Sequence, residues 1–242
     1  MCTIAYIPFK DGTFLLASSR DESPERGEVL PPQIVGHNKT NVLAPKDEKG
    51  GGTWVGASDA GRLALIMNGA YAPHKRRPPY KKSRGLVVSE NFEWLSASAF
   101  AGGVDLAGIE PFTSVMIDTL PELRIFELKW DGYLKSFFEL RTDKPHIWSS
   151  ENLFPGSVHR KRVIWFRDFI TENPQPSIQD AEDFFRNAGK NAKPEERICM
   201  SKNNVVRTVS MTFVQYQRTG WTMKYSDLLK GGEGLTGELG IK

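Results

Sequence analysis

The pair Asp11-Gly12 constrains this chain more than any other short stretch. Asp-Gly is a strong short-range signal for a hairpin, and Lys10-Asp11-Gly12 reads as its turn. It is flanked by Thr3-Ile4-Ala5-Tyr6-Ile7 and by Thr13 to Ser19, two strand-like arms of similar length. Pairing those arms antiparallel returns the residues near 20 to the side of residue 2. Arg20 and Asp21 are therefore expected close to Cys2.

That placement gives Cys2 a chemistry. Removal of Met1 would leave a residue carrying both a thiol and a free α-amino group. A thiolate attacks carbonyls, and an α-amine with an ordinary pKa of about 7.7–8.0 takes and returns a proton near neutral pH. Arg20, permanently charged, would favour the thiolate, and Asp21 could accept a hydrogen bond from the α-ammonium and orient it. On residue types alone, Arg20-Asp21 could equally be an ion pair at a strand end. The other cysteine, Cys199, lies between Ile198 and Met200 and is expected to be a small core residue.

The rest of the chain narrows the class. Its 242 residues suffice for a buried core, and Lys plus Arg exceed Asp plus Glu by 32 − 29 = 3, which does not argue for nucleic acid. No apolar run approaches the ~20 residues that span a bilayer, and no secretory signal pattern is present, so a cytoplasmic, reducing setting is expected. His37, His74, His146 and His159 show no metal-ligand spacing, and no cofactor is expected. Gly50-Gly51-Gly52 is not followed by Lys-Ser or Lys-Thr, so it is not a phosphate loop.

Further strands are expected at 63–67, 112–117, 123–130, 133–140, 205–216 and 221–225, the Asp131-Gly132 pair marking a second hairpin. Helices are expected at about 86–95, at 158–170 with Ser157 as cap, and from Ser177 to a stop at Gly189. Residues 23–48, rich in Pro, Gly and charge, suggest an irregular connection, and the glycine-rich tail from about 231 suggests loose order. No linker divides the chain, so 1–242 is expected to be a single domain, predominantly antiparallel with helices outside. His74 to Arg84 is the one dense basic block, a loop that is either simply solvated or a site for an anionic ligand such as a carboxylate, a phosphate or a haem propionate.

Taken jointly, Met1-Cys2-Thr3-Ile4, Ser19-Arg20-Asp21-Glu22, Gly51-Gly52-Thr53-Trp54-Val55-Gly56, Ser83-Arg84-Gly85, Ile147-Trp148-Ser149-Ser150, Arg160-Lys161-Arg162 and Arg207-Thr208-Val209-Ser210 resemble the NRDE family, which includes the transport and Golgi organisation protein 2 group. That family in turn resembles the N-terminal-nucleophile hydrolases, on the side of the bile-salt hydrolases and penicillin V acylases. The resemblance implies an α+β fold, a four-layer αββα sandwich of two antiparallel sheets. It implies Cys2 as nucleophile, Arg20 and Asp21 as its partners, Asn68 as an oxyanion donor and Arg207 as a second arginine of the site. The activity implied is hydrolysis of a non-peptide carbon–nitrogen amide bond. The alternative is a non-catalytic carrier of a small anionic or amphiphilic ligand such as haem or an acyl lipid. Two departures stand out: Ser19 occupies a position where Asn is usual, and the Asn often found near Ser149 or Ser150 is missing there.

Overall fold

The computed structural model describes residues 2–37, 40–203, 205–231 and 234–242, without the side chain of Cys2. In chain order the elements are β1 (Cys2–Pro8), β2 (Phe14–Glu22), a 3₁₀ turn (Pro24–Arg26), β3 (Val29–His37), β4 (Thr40–Asp47), β5 (Val55–Ser58), β6 (Arg62–Asn68), α1 (Arg84–Asn91) and α2 (Ala97–Gly103). They continue with β7 (Phe112–Asp118), β8 (Arg124–Trp130), β9 (Lys135–Leu140), β10 (His146–Ser149), α3 (Gly156–Glu172), α4 (Ile178–Asn187), β11 (Ser201–Lys202), β12 (Val206–Gln217), β13 (Gly220–Asp227) and β14 (Leu235–Gly240).

The strands form two seven-stranded antiparallel sheets. The first runs β10-β1-β2-β12-β13-β14 with β11 alongside β12, and the second runs β3 through β9 in sequence order. Helices α3 and α4 pack on the first sheet and α1 and α2 on the second, which makes the αββα sandwich. Among the described residues no helix is long and apolar enough to cross a membrane.

The period-2 alternation of a strand explains why β1 is apolar at nearly every position. Ile4 and Tyr6 join the core between the sheets, while Ala5 and Ile7 join a second core with Phe166 of α3 and Ala181 and Phe185 of α4. A strand in the middle of four layers is buried on both faces, so hydrophobicity alternates between two cores rather than between core and water. Trp221 of β13 ties the sheets together, its indole N–H donating to the Ser58 carbonyl of β5 at 2.8 Å. Each such fully buried large side chain contributes roughly 1.5–3 kcal/mol.

The hairpin forms, with Thr3 opposite Ser19 and Pro8 opposite Phe14. Its turn is Lys10-Asp11-Gly12, the Phe9 N–H donating to the Thr13 carbonyl at 2.9 Å and the Gly12 N–H to the Phe9 carbonyl at 3.1 Å, with Gly12 at φ +83°. Ser177 and Asp180 close a capping box on α4. The helix expected at 86–95 instead starts at Arg84, capped by Ser83, and stops at Asn91. Helix α3 begins at Gly156 behind Pro155, one residue before the expected Ser157 cap.

Two stretches expected to be irregular or loosely ordered hold strands. Residues 23–48 hold two paired strands, β3 and β4, rather than an irregular connection. Strand β3 lies at the sheet edge, where Pro31 and Pro32 sit in the register break between Leu30 and Gln33, and an edge bulge tolerates the missing donors. The glycine-rich end is also a strand, because β14 pairs residue for residue with β13 from Tyr225–Leu235 to Gly220–Gly240. Gly220 admits that strand closely, a Cβ there falling 2.6 Å from the Leu239 carbonyl oxygen.

Candidate active site

The β1–β2 register sets Cys2 directly opposite Arg20. Met1 and the Cys2 side chain lie outside the described residues, and the groups around that position define the site. Ser19, where the family motif usually has Asn, accepts the Thr3 backbone N–H on its hydroxyl at 3.1 Å. The hydroxyl thus takes up the chain immediately after Cys2.

Consecutive residues of β2 project to opposite sides of the sheet. Arg20 faces the space between the sheets and is 6% exposed. Its Nη2 pairs with Asp47 Oδ2 at 2.7 Å, its guanidinium lies 4.7 Å from the centre of the Trp54 ring, and Arg26 reaches the same Asp47 oxygen at 3.3 Å. Asp21 faces the helix side and is fully buried. The Thr208 hydroxyl donates to its Oδ1 at 2.7 Å, while Oδ2 has no hydrogen-bond partner among the described residues. Burial pushes the Asp21 carboxyl up to about 6, with the chain's N-terminal ammonium, then the positive charge of Arg162 and the Thr208 hydroxyl, pulling the other way. A bulge in β12 between Thr208 and Ser210 brings Thr208 opposite Asp21.

Arg20 lines a cavity of about 410 Å³ at the open end of the sandwich. The cavity also takes in Glu22, Arg26, Asp47, Trp54, Ile66 and Asn68, and its far wall is the basic loop, through Arg76, Tyr80, Lys82, Ser83 and Arg84. Lys75 and Arg77, in the same basic block, do not line it. The buried Glu110 gathers the loop, holding His74 at 3.3 Å, Arg76 at 3.4 Å and Arg84 at 3.2 Å. The lining carries five Arg or Lys against three Asp or Glu, 5 − 3 = 2 in favour of positive charge. Gly52 makes this joint possible: a Cβ there would lie 2.5 Å from the Gly85 carbonyl oxygen and the Leu86 nitrogen, so only glycine lets the 50–54 segment close against the start of α1.

Asn68, at the end of β6, also lines the cavity, and its backbone carbonyl accepts from the Ser150 hydroxyl at 2.7 Å. Gly69 follows at φ +85°, a left-handed turn that brings the chain against Asn152. Asn152 is a cavity residue that sequence reasoning missed. The His74 backbone N–H donates to its Oδ1 at 2.7 Å, which leaves the Nδ2 group as the amide's remaining donor. The signal was present, since an Asn was sought at 149–150 and stands two residues later. Asp47, Trp54, Glu110 and Thr208 were also not anticipated; each reaches the site by a pairing distant in sequence. Arg207 pairs in register with Glu22 but is solvent-exposed and outside the cavity lining. Cys199 is half-buried, and burial pushes its thiol up.

The fold is shared with solved amide hydrolases at low sequence identity. Penicillin V acylase from Agrobacterium tumefaciens matches at TM-score 0.59 and 12% identity, covering all of this chain and 86% of that one. A mutant of the conjugated bile acid hydrolase from Clostridium perfringens matches at TM-score 0.57 and 11% identity, covering all of this chain and 97% of that one. The Caenorhabditis elegans ortholog of N-acylethanolamine-hydrolyzing acid amidase matches at TM-score 0.54 and 10% identity, over 88% and 92% of the two chains. No curated protein sequence matches the chain. At these identities the likeness establishes an N-terminal-nucleophile hydrolase fold. The sequence itself matches the Transport and Golgi organisation 2 family over residues 1–220, and the chain belongs to that family.

Proposed function

We propose that this protein is an N-terminal cysteine hydrolase that cleaves the carbon–nitrogen bond of a small anionic amide. The observation that carries the reading is the register of Cys2 with Arg20 at the mouth of a cavity lined by two asparagines and an excess of cations.

After loss of Met1, the Cys2 thiolate attacks the amide carbonyl carbon, and the carbonyl electron pair moves onto oxygen. Asn68 and Asn152 offer side-chain N–H donors to that oxyanion, and removal of one such donor costs about 2.7–4 kcal/mol in other enzymes. Collapse breaks the C–N bond. The α-amino group of Cys2, having taken the thiol proton, gives a proton to the leaving amine, and the acyl group stays on sulfur as a thioester. Water then adds to the thioester, the acid departs and the thiol is restored. Arg20 holds positive charge opposite Cys2 through its fixed pair with Asp47, and the unpartnered Oδ2 of Asp21 suits the α-ammonium. Arg76, Lys82 and Arg84 favour a substrate with a carboxylate or phosphate outside the scissile bond.

The same cationic wall serves the second reading, a carrier that binds an anionic amphiphile such as haem or an acyl lipid without turnover. Trp54 and Ile66 are the large apolar side chains of the lining, which gives an extended apolar tail little surface.

The test is intact mass, then alkylation of Cys2 against pH, then turnover of a panel of N-acyl amino acids. The mature protein is expected to be lighter by one methionine residue and to show one fast thiol below the ordinary value of about 8.5, raised in Arg20→Ala and partly restored in Arg20→Lys. Protein that retains Met1 from a processing-competent host, or an unchanged alkylation profile in folded Arg20→Ala, refutes the mechanism. Ligand binding with no turnover would assign the carrier role.

A further inference from the structure

On the side of the first sheet away from the cavity lies a second charged centre, Arg162 of α3, fully buried. Its Nη1 donates to Thr3 Oγ1 at 2.6 Å, its Nε to the Glu196 carbonyl at 3.2 Å, and its Nη2 to the Arg197 carbonyl. The guanidinium carbon sits 3.7 Å from the centre of the Phe154 ring.

Each contact leads to a different part of the site. Thr3 follows Cys2 in β1. Phe154 closes the turn that contains Asn152, its N–H bonding to the Ser150 carbonyl at 3.0 Å. The carbonyls at 196 and 197 anchor the segment leading to Met200, whose N–H donates to Thr208 Oγ1 at 2.9 Å, and Thr208 in turn holds Asp21. Arg162 is thus the common point behind the nucleophile strand, the Asn152 turn and the Asp21 carboxylate.

The electrostatics run the same way. A buried charge is costly unless compensated. Among the described residues the hydrogen-bond partners of Arg162 are neutral oxygens, and Asp21 keeps one oxygen unpartnered. The two groups compensate each other through space, and burial pulls Arg162 down to about 10 as it pushes Asp21 up. The other charged or titratable groups acting on Asp21 are the chain's N-terminal ammonium, which lowers its pKa more than Arg162 does, Glu22 beside it on β2, and the Cys199 thiol from the segment before β11.

We propose that Arg162 is a positioning residue of the site, holding Thr3, the Asn152 turn and Asp21 in one arrangement and supplying the charge opposite Asp21. The inference rests on the reading of Cys2 as nucleophile.

The test uses full-length protein with Cys199→Ala as background, and follows turnover and Cys2 alkylation from pH 4.5 to 8.5 in the parent, Arg162→Met and Arg162→Lys. In Arg162→Met the acid limb of turnover is expected to move up by about one pH unit, so that the rate at pH 6 relative to its plateau falls several-fold. Arg162→Lys is expected to keep the parent limb but lose at least tenfold in kcat, since an ammonium cannot reach Thr3 and both carbonyls at once. A folded Arg162→Met with the parent limb overturns the inference. If Arg162→Met does not fold, Arg162→Lys decides: reduced kcat with the parent limb supports the proposal, and parent kcat overturns it. A parent protein whose Cys2 never alkylates rapidly refutes the nucleophile reading itself, and this inference falls with it.

Discussion

Replacing Asp21 by Asn isolates the energetic burden of the site. The Asp21 side chain is fully buried, and its carboxyl titrates at about 6 in the folded protein against an ordinary 3.8. The difference is about 2 pKa units, and at ~1.36 kcal/mol per unit it corresponds to ~3 kcal/mol, an order of magnitude. The sign follows from the direction. Because folding raises this pKa, the folded state binds the proton more tightly than the unfolded chain. The resulting stabilisation is complete below about 3.8 and is lost as pH rises through about 6. Above that, the folded protein bears the whole cost of a dry carboxylate. Asn has nearly the same shape, keeps an acceptor for the Thr208 hydroxyl and does not titrate. Urea unfolding of both proteins from pH 4 to pH 7.5 should therefore show the free-energy difference moving toward Asp21→Asn by ~3 kcal/mol across that range. On the proposed mechanism, the variant should gain stability where it loses turnover. A difference that is flat with pH, or that moves toward the parent, would refute the account of Asp21 as a desolvated carboxylate.

Two further outcomes test the cavity. Gly52→Ala forces a methyl group into the Gly85 carbonyl and the Leu86 amide, so the urea midpoint should fall by the equivalent of about 1–3 kcal/mol; an unchanged midpoint would show that the two segments are not in backbone contact. Arg76→Ala combined with Lys82→Ala should raise KM for an anionic N-acyl amino acid about tenfold, roughly 1.4 kcal/mol, and flatten its salt dependence, whereas Lys75→Ala with Arg77→Ala, outside the lining, should change neither. Equal effects from the two pairs would mean that only overall loop charge matters.

The parts of this structure that were legible in the sequence are those specified locally. Asp11-Gly12 and Asp131-Gly132 fix their hairpins by turn chemistry, and Ser177 with Asp180 fixes the start of α4. Placing Arg20 opposite Cys2 needed only a turn and two arms of equal length. Strand β3 was not legible because it is an exposed edge strand with two prolines, so it has no buried face to write a period-2 pattern. Strand β10 is four residues long, too short for alternation to show. In the site, Asp47 and Glu110 meet their arginines only through the stacking of whole layers, which no local pattern encodes. Asn152 was hidden by the length of the turn after Ser150, which can be fixed only once Gly69 and Phe154 are in place.

The alternation of β2 has a consequence for how this family can vary. Arg20 and Asp21 are neighbours in the chain, yet the sheet separates them, one charge in the cavity and the other in the dry layer beneath α3. The turn at residues 9–13 therefore sets the polarity of the whole site. One residue added to or deleted from that turn would slide β2 against β1 by a single position and exchange the two sides. The carboxylate would then face the cation-rich cavity and the guanidinium would enter the layer already occupied by Arg162. Length changes there can be tolerated only in pairs, or with a bulge that restores the phase, so the hairpin loop should be among the least variable in length of any loop on the molecule.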